Sequence, residues 1–225
     1  MRRPEVTWKA DNVVLTINEI FYSLQGESTL AGKPCTFVRL AGCNMRCTYC
    51  DTRNAYDNGI EMSVEHVLRA LTKYDCPLVL LTGGEPLMQE NISDLIDRML
   101  DLGYQVMLET NGSRDIQKVP EGVLTVMDIK CPSSGESENV MYSNIDYLAP
   151  TDNVKFVIGD RRDYEWASDV IFDYGIHELC EVLMSPVHGK IEPVQLAEWI
   201  LHDKMPVRLQ LQLHKLLWGP EVQGR

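Results

Sequence analysis

Four cysteines fall within GKPCTFVRLAGCNMRCTYCDT, residues 32–52, and three of them, Cys43, Cys47 and Cys50, stand at C-x3-C-x2-C spacing. A free cysteine is often a small core residue. That reading suits Cys35, Cys76 and Cys180, which lie singly in or beside apolar runs. It suits three thiols within eight loop residues badly. A structural zinc ion takes four ligands, commonly arranged as pairs; here Cys131 and His188 are conceivable but unpaired. Thiolates also hold iron–sulfur clusters. One loop at this spacing can wrap three corners of a [4Fe–4S] cube and leave the fourth iron open to a small ligand. The triplet therefore predicts a cluster with one vacant iron.

Other segments able to do chemistry directly follow apolar runs: TGGEP (82–86), ETNG (109–112), KCPSSG (130–135) and SPVHG (185–189). Glycines at 83 and 84 permit close approach of backbone to a ligand, and Glu85 can accept from an ammonium group. A plain turn explains the glycines equally well, but it does not favour the acid.

The elements that must position these segments are read from periodicity. Strands are predicted at Val14–Phe21, Thr36–Leu40, Leu78–Thr82, Gln105–Glu109, Leu124–Ile129, Val154–Ile158, Glu181–Met184 and Arg208–Gln212. After Ser63 as N-cap, Val64, Val67, Leu68 and Leu71 repeat at helical spacing. Ile92, Leu95, Ile96 and Met99 do the same before Gly103 stops the helix; Tyr164–Tyr174 and Pro193–Leu201 are two more. Strand–helix alternation implies an α/β fold with a parallel sheet. Four convincing helices are too few for a closed eightfold barrel, so an incomplete, partial TIM-type barrel with outer helices is expected. In such folds ligands sit at the carboxyl ends of the strands, where these segments should converge. With no Pro/Gly/Ser-rich linker, residues 1–225 read as one domain.

The chain has 33 acidic against 21 basic residues, a formal charge of −12, which argues against a large nucleic-acid surface or docking on anionic membranes. No apolar run follows the basic start MRRPEVTWKADN, so no signal peptide is expected, and apolar stretches such as Pro77–Leu81 are far too short to span a bilayer. Seven cysteines without a secretion signal speak for a reducing, cytoplasmic setting.

C-x3-C-x2-C followed at distance by GGEP resembles the radical S-adenosylmethionine (SAM) superfamily. INEIFYSLQGE before it, FVRLAGCN around it, CDT after it and RLQLQLHK near the end narrow the resemblance to the 7-carboxy-7-deazaguanine synthase family. The similarity runs from about Ile17 to Pro220. A bare triplet is specific only to the superfamily; LQGE, CDT and LHK in this order are much more specific.

The resemblance implies that Cys43, Cys47 and Cys50 ligate the cluster, whose open iron binds SAM through its amino and carboxylate groups. Tyr49, Cys50 and Asp51 would lie along SAM, with Gly83, Gly84 and Glu85 near its methionine end. Asn111, Cys131, Pro132, Ser133, Ser185, Pro186, Val187 and His188 would supply further SAM contacts. The implied substrate is 6-carboxy-5,6,7,8-tetrahydropterin, met by Leu24, Gln25, Gly26, Glu27, Arg39, Thr82, His214 and Pro220, after which Glu221–Arg225 continue the chain. Thr52 would help hold Mg2+, a hard ion that keeps waters and needs few protein ligands. A buried salt bridge is the structural alternative for Arg39, and a turn or cap role that for Thr52. The implied reaction abstracts hydrogen from C6, contracts the ring, returns the hydrogen and eliminates ammonia, on the route to queuosine-type deazapurines, with no residue assigned as general base. An external electron donor such as flavodoxin or ferredoxin and a homodimer are implied too. The competing functions are a glycyl-radical-enzyme activase, which LQGE, CDT and LHK disfavour, and a non-catalytic metal-stabilised interaction module.

Overall fold

The computed structural model describes residues 13–220, 222 and 224. Among these, nine strands form one open sheet: β1 (Val14–Leu24), β2 (Pro34–Leu40), β3 (Ile60–Ser63), β4 (Leu78–Gly83), β5 (Gln105–Thr110), β6 (Leu124–Ile129), β7 (Asn153–Ile158), β8 (Glu181–Pro186) and β9 (Arg208–Leu209), in the order β3-β1-β2-β4-β5-β6-β7-β8-β9. β1 runs antiparallel to both of its neighbours, and from β2 onward every pairing is parallel. The helices are α1 (Val64–Thr72), α2 (Ile92–Asp101), α3 (Arg161–Asp173), α4 (Ile176–Leu179), α5 (Pro193–Asp203) and α6 (Leu213–Trp218). This is the expected partial barrel.

Local signals act where they stand. The Ser63 hydroxyl accepts from the His66 amide at the start of α1, and the Asp160 carboxylate from Asp163 N at the start of α3. Pro193 occupies the first position of α5. The outer face of β1, β2, β4 and β5 packs Leu15, Val38, Val79 and Leu108 against Val67, Leu71, Leu95 and Met99 of α1 and α2. Met127, Phe156 and Met184 of the later strands pack against Tyr164, Ile171 and Leu196. The inner face carries a smaller apolar cluster of Cys35, Phe37, Cys76, Leu78, Leu80, Met107 and Val126.

Four elements depart from expectation, among them α6, a helix over LHKLLW where none was expected. β3 was not foreseen, because IEMS is short and half of it exposed; pairing with β1 makes it a strand. The last strand stops at Leu209 rather than Gln212, since the chain turns away and Leu213 N bonds Gly26 O at 3.0 Å, opening α6. α4 is a single turn, too short for a periodic signal. Residues 1–12 of the single-domain expectation lie outside the described residues, as do Glu221 and Arg225.

Candidate active site

Alternate residues of a strand face the same side, and that period builds the site. Phe37, Leu80 and Val126 form the floor of a cavity of about 660 Å³. Two residues further along the same strands come Arg39, Thr82 and Asp128, joined in the wall by Glu109 and Lys155. The parallel register sets Arg39 beside Thr82 and Asp128 beside Lys155. A polar layer thus lies directly above an apolar one.

The cysteine loop closes the carboxyl edge. Gly83 has φ of 147°, and a Cβ there would meet Leu40 O at 2.1 Å; one on Gly84 would meet Gly42 O at 2.0 Å. Both positions require glycine because the backbone entering the cysteine loop presses on them, and both also line the cavity. Glu85 N donates to Gly42 O (2.7 Å) and Gly84 N to Leu40 O (3.1 Å). The other strand-end segments hold the loop as well. Asn111 Nδ2 donates to Asn44 Oδ1 (3.1 Å), Thr48 Oγ1 to Ser133 O (2.8 Å), and Arg46 N to Glu136 Oε1 (2.6 Å). Cys43, Cys47 and Cys50 all line the cavity. Burial raises the Cys43 thiol and pushes Cys47 up to about 11. Among the described residues no three His, Cys, Asp or Glu side chains gather closely enough for a single metal ion.

Of the other residues singled out from sequence, Leu24, Gln25, Gly26, Glu27, Tyr49, Asp51, Thr52, Asn111, Val187, His188, His214 and Pro220 also line this cavity. Tyr49 anchors by donating its hydroxyl to Val157 O at 3.2 Å. Arg39 donates Nε to Glu19 Oε1 at 2.8 Å in a partly exposed ion pair on the cavity wall, which leaves its other N–H groups for a ligand. Glu85, Cys131, Pro132, Ser133, Ser185 and Pro186 stand behind the wall instead. The fully buried Glu85 carboxylate accepts from Asn111 N (2.6 Å), Thr110 Oγ1 (2.8 Å) and Leu87 N (3.0 Å), so it braces the strand ends. Burial raises its pKa. Ser133 is taken up by Asp163, through its amide (2.9 Å) and its hydroxyl.

Sequence reasoning missed the centre of the polar layer. Lys155, 4% exposed, places Nζ 3.0 Å from Glu27 Oε2, 2.5 Å from Glu109 Oε1 and 3.2 Å from Asp128 Oδ2. Lys130 Nζ takes the same Asp128 oxygen at 2.9 Å. Thr82 Oγ1 donates to Glu109 Oε2 (3.2 Å) and Gln212 Nε2 to Glu27 Oε1 (2.8 Å). Burial by itself lowers the Lys155 pKa, but Asp128, Glu109 and Glu27 hold it well above the ordinary lysine value. The available signal was a charged residue inside each of the apolar strands MLET, VMDI and VKFV. The chain end closes the opposite rim. Lys215 Nζ bonds Asp51 Oδ2 at 2.6 Å, and His214 packs against Gly26, where a Cβ would come within 2.5 Å of Nδ1.

The Radical SAM superfamily model matches residues 38–189, more than half of the chain. The 7-carboxy-7-deazaguanine synthase of Chlorobaculum tepidum is 44% identical over 214 residues, covering 93% of this chain and 97% of that protein. The chain belongs to the 7-carboxy-7-deazaguanine synthase family. The synthase of Koribacter versatilis is 41% identical, covering 93% of this chain and all of that protein. The crystal structure of QueE from Escherichia coli shares the fold, with a TM-score of 0.75, 22% identity and coverage of 89% and 95% of the two chains.

As a radical SAM enzyme the chain uses a [4Fe–4S] cluster and SAM. The donor set fits them: three thiols reach one cavity. Beside them the buried Asp128 Oδ1 has no hydrogen-bond partner, a vacancy for a ligand N–H or O–H. The Lys130 cation stands close enough to Cys43 and Cys47 to favour their thiolates.

Proposed function

We propose that the chain converts 6-carboxy-5,6,7,8-tetrahydropterin to 7-carboxy-7-deazaguanine and ammonia. The observation that carries this reading is a single cavity that joins the three thiols to Gln25, Glu27, Arg39 and Thr82. The cluster and SAM, when bound, supply one-electron bond cleavage and hydrogen abstraction. The protein binds, orients and shields. In this reading Cys43, Cys47 and Cys50 are the protein ligands of the cluster. Tyr49, Asp51, Gly84, Asn111, Val187 and His188 lie along SAM, and Asp128 Oδ1 accepts a hydrogen bond from it. Leu24, Gln25, Gly26, Glu27, Thr82, His214 and Pro220 enclose the pterin. The free N–H donors of Arg39 match a carboxylate. Thr52 contributes one oxygen to Mg2+. Burial lowers the His214 pKa, so its ring is neutral at pH 7 and one nitrogen can accept.

The same proposal takes residues 1–225 as one domain working as a homodimer in the cytoplasm and reduced by a small electron carrier. No helix among the described residues is long and apolar enough to cross a membrane. The deciding experiment is strictly anaerobic incubation with the tetrahydropterin, SAM, Mg2+ and a reductant. Formation of 7-carboxy-7-deazaguanine with SAM recovered is expected. Reductive SAM cleavage with no pterin-derived product would overturn the substrate assignment.

A further inference from the structure

We propose that Lys155 is the positioning residue that makes this cavity an acceptor for an N–H edge, acting through Glu27 and Glu109. The inference rests on the pterin reading above and deepens it. Glu27 comes from the loop after β1, Glu109 from the end of β5 and Asp128 from β6, yet one ammonium group touches all three. Counted with Lys130, the cluster holds three carboxylates against two ammonium groups. Strand order and register bring these segments together, and Lys155 ties their three carboxylates to one point.

The chemical consequence follows from what a carboxyl group offers. Ionised, it only accepts hydrogen bonds; protonated, it also donates. Three carboxylates crowded around a buried point cannot all stay ionised without a cation among them. With Lys155 in place, Glu27 and Glu109 present oxygens of fixed direction, and each retains lone pairs beyond those its protein partners use. The ligand edge that matches is a row of N–H donors, which an amino-pyrimidinone ring carries at its ring nitrogens and its exocyclic amine. Gln212 Nε2 and Thr82 Oγ1 fix the second oxygen of each carboxylate, at 2.8 Å and 3.2 Å. Both acceptors are thus held from two sides. Lys155 itself need not touch the ligand.

The test uses 6-carboxypterin, which has no hydrogen at C6 to abstract and so reports binding alone. Its affinity is measured by fluorescence for the full chain with cluster and SAM bound, for Lys155→Met, for Glu109→Gln and for the double variant. Lys155→Met is expected to weaken binding by about ten- to a hundredfold. The double variant is expected to bind no more weakly than the worse single variant, because residues that act as one unit are not additive. Cluster absorbance, read in parallel, should match the parent. Should Lys155→Met fail to fold, the same substitution is compared in a Glu27→Gln/Glu109→Gln background with that background alone. Similar affinity of those two supports the proposal, and a further loss overturns it. Parent-like binding by Lys155→Met, or losses that multiply in the double variant, also overturn it. A parent protein that does not bind 6-carboxypterin overturns the substrate reading and this proposal together.

Discussion

Gly84 lies so close to Gly42 that a β-carbon at position 84 would come within 2.0 Å of the Gly42 carbonyl oxygen and 2.8 Å of Cys43 Cβ. The same oxygen already accepts from Glu85 N. The GGEP segment therefore seats the cysteine loop on the end of β4. Gly84→Ala should push that loop away, with a loss of about 1–3 kcal/mol in stability and much weaker cluster absorbance. Thermal denaturation and an absorbance spectrum check both. A Gly84→Ala protein with parent stability and a full cluster would remove the seating role.

The seven cysteines should divide sharply. Alanine at Cys43, Cys47 or Cys50 should abolish the visible chromophore and SAM cleavage. Serine at Cys35, Cys76, Cys131 or Cys180 should leave the chromophore in place and lower stability at most, most of all at Cys35 and Cys131, which are fully buried. Iron content per chain, measured after anaerobic reconstitution, decides between the groups. Full iron content in Cys47→Ala contradicts the ligand assignment.

Thr52 donates its hydroxyl to Asp51 Oδ1 at 3.0 Å, which leaves lone pairs on the threonine oxygen for a cation. Thr52→Ala should raise the magnesium concentration needed for turnover, and Thr52→Ser should behave nearly like the parent. Water can replace one lost oxygen on Mg2+, so impairment rather than silence is expected. An unchanged magnesium titration in the alanine variant would take Thr52 out of the metal site.

The Lys155 cluster also predicts a pH dependence of stability. Burial pushes Glu27 and Asp128 up, yet Lys155 with Gln212 at Glu27, and Lys130 with Lys155 at Asp128, hold both below their ordinary values of 4.5 and 3.8. Groups depressed in the folded state contribute stability that is complete above those values and lost as pH falls through the folded ones. Lys155 is raised above 10.5, so its share is complete below that value and lost as pH rises through the folded one. Glu85 and Asp152, raised by burial, slope the other way on the acid side. The difference between parent and Lys155→Met isolates the cluster. Urea midpoints from pH 3 to 8 should show the variant less stable than the parent near neutrality by an amount that shrinks as pH falls, and a difference that does not change with pH would refute this.

Much was legible before any coordinates because it is written in local periodicity. Val126 and Asp128 fall two residues apart on β6, and Val67, Leu68 and Leu71 fall on one side of α1, because backbone geometry alone sets those directions. The triplet Cys43, Cys47 and Cys50 carries its chemistry in its spacing, and the same is true of Ser63 as a cap. Glu85 shows the opposite. An acid beside two glycines looks like a ligand group, and only packing shows that its oxygens also accept from Asn111, Thr110 and Leu87. The meeting of Glu27 with Lys155 is the clearest case of what the chain does not say locally. They are 128 positions apart, and their 3.0 Å contact depends on the order and register of β1 through β7. Sequence alone determined which side chains share a face, since that follows from each strand's own pleat. The tertiary structure decided which of those charges touch, since that follows from how separate strands align.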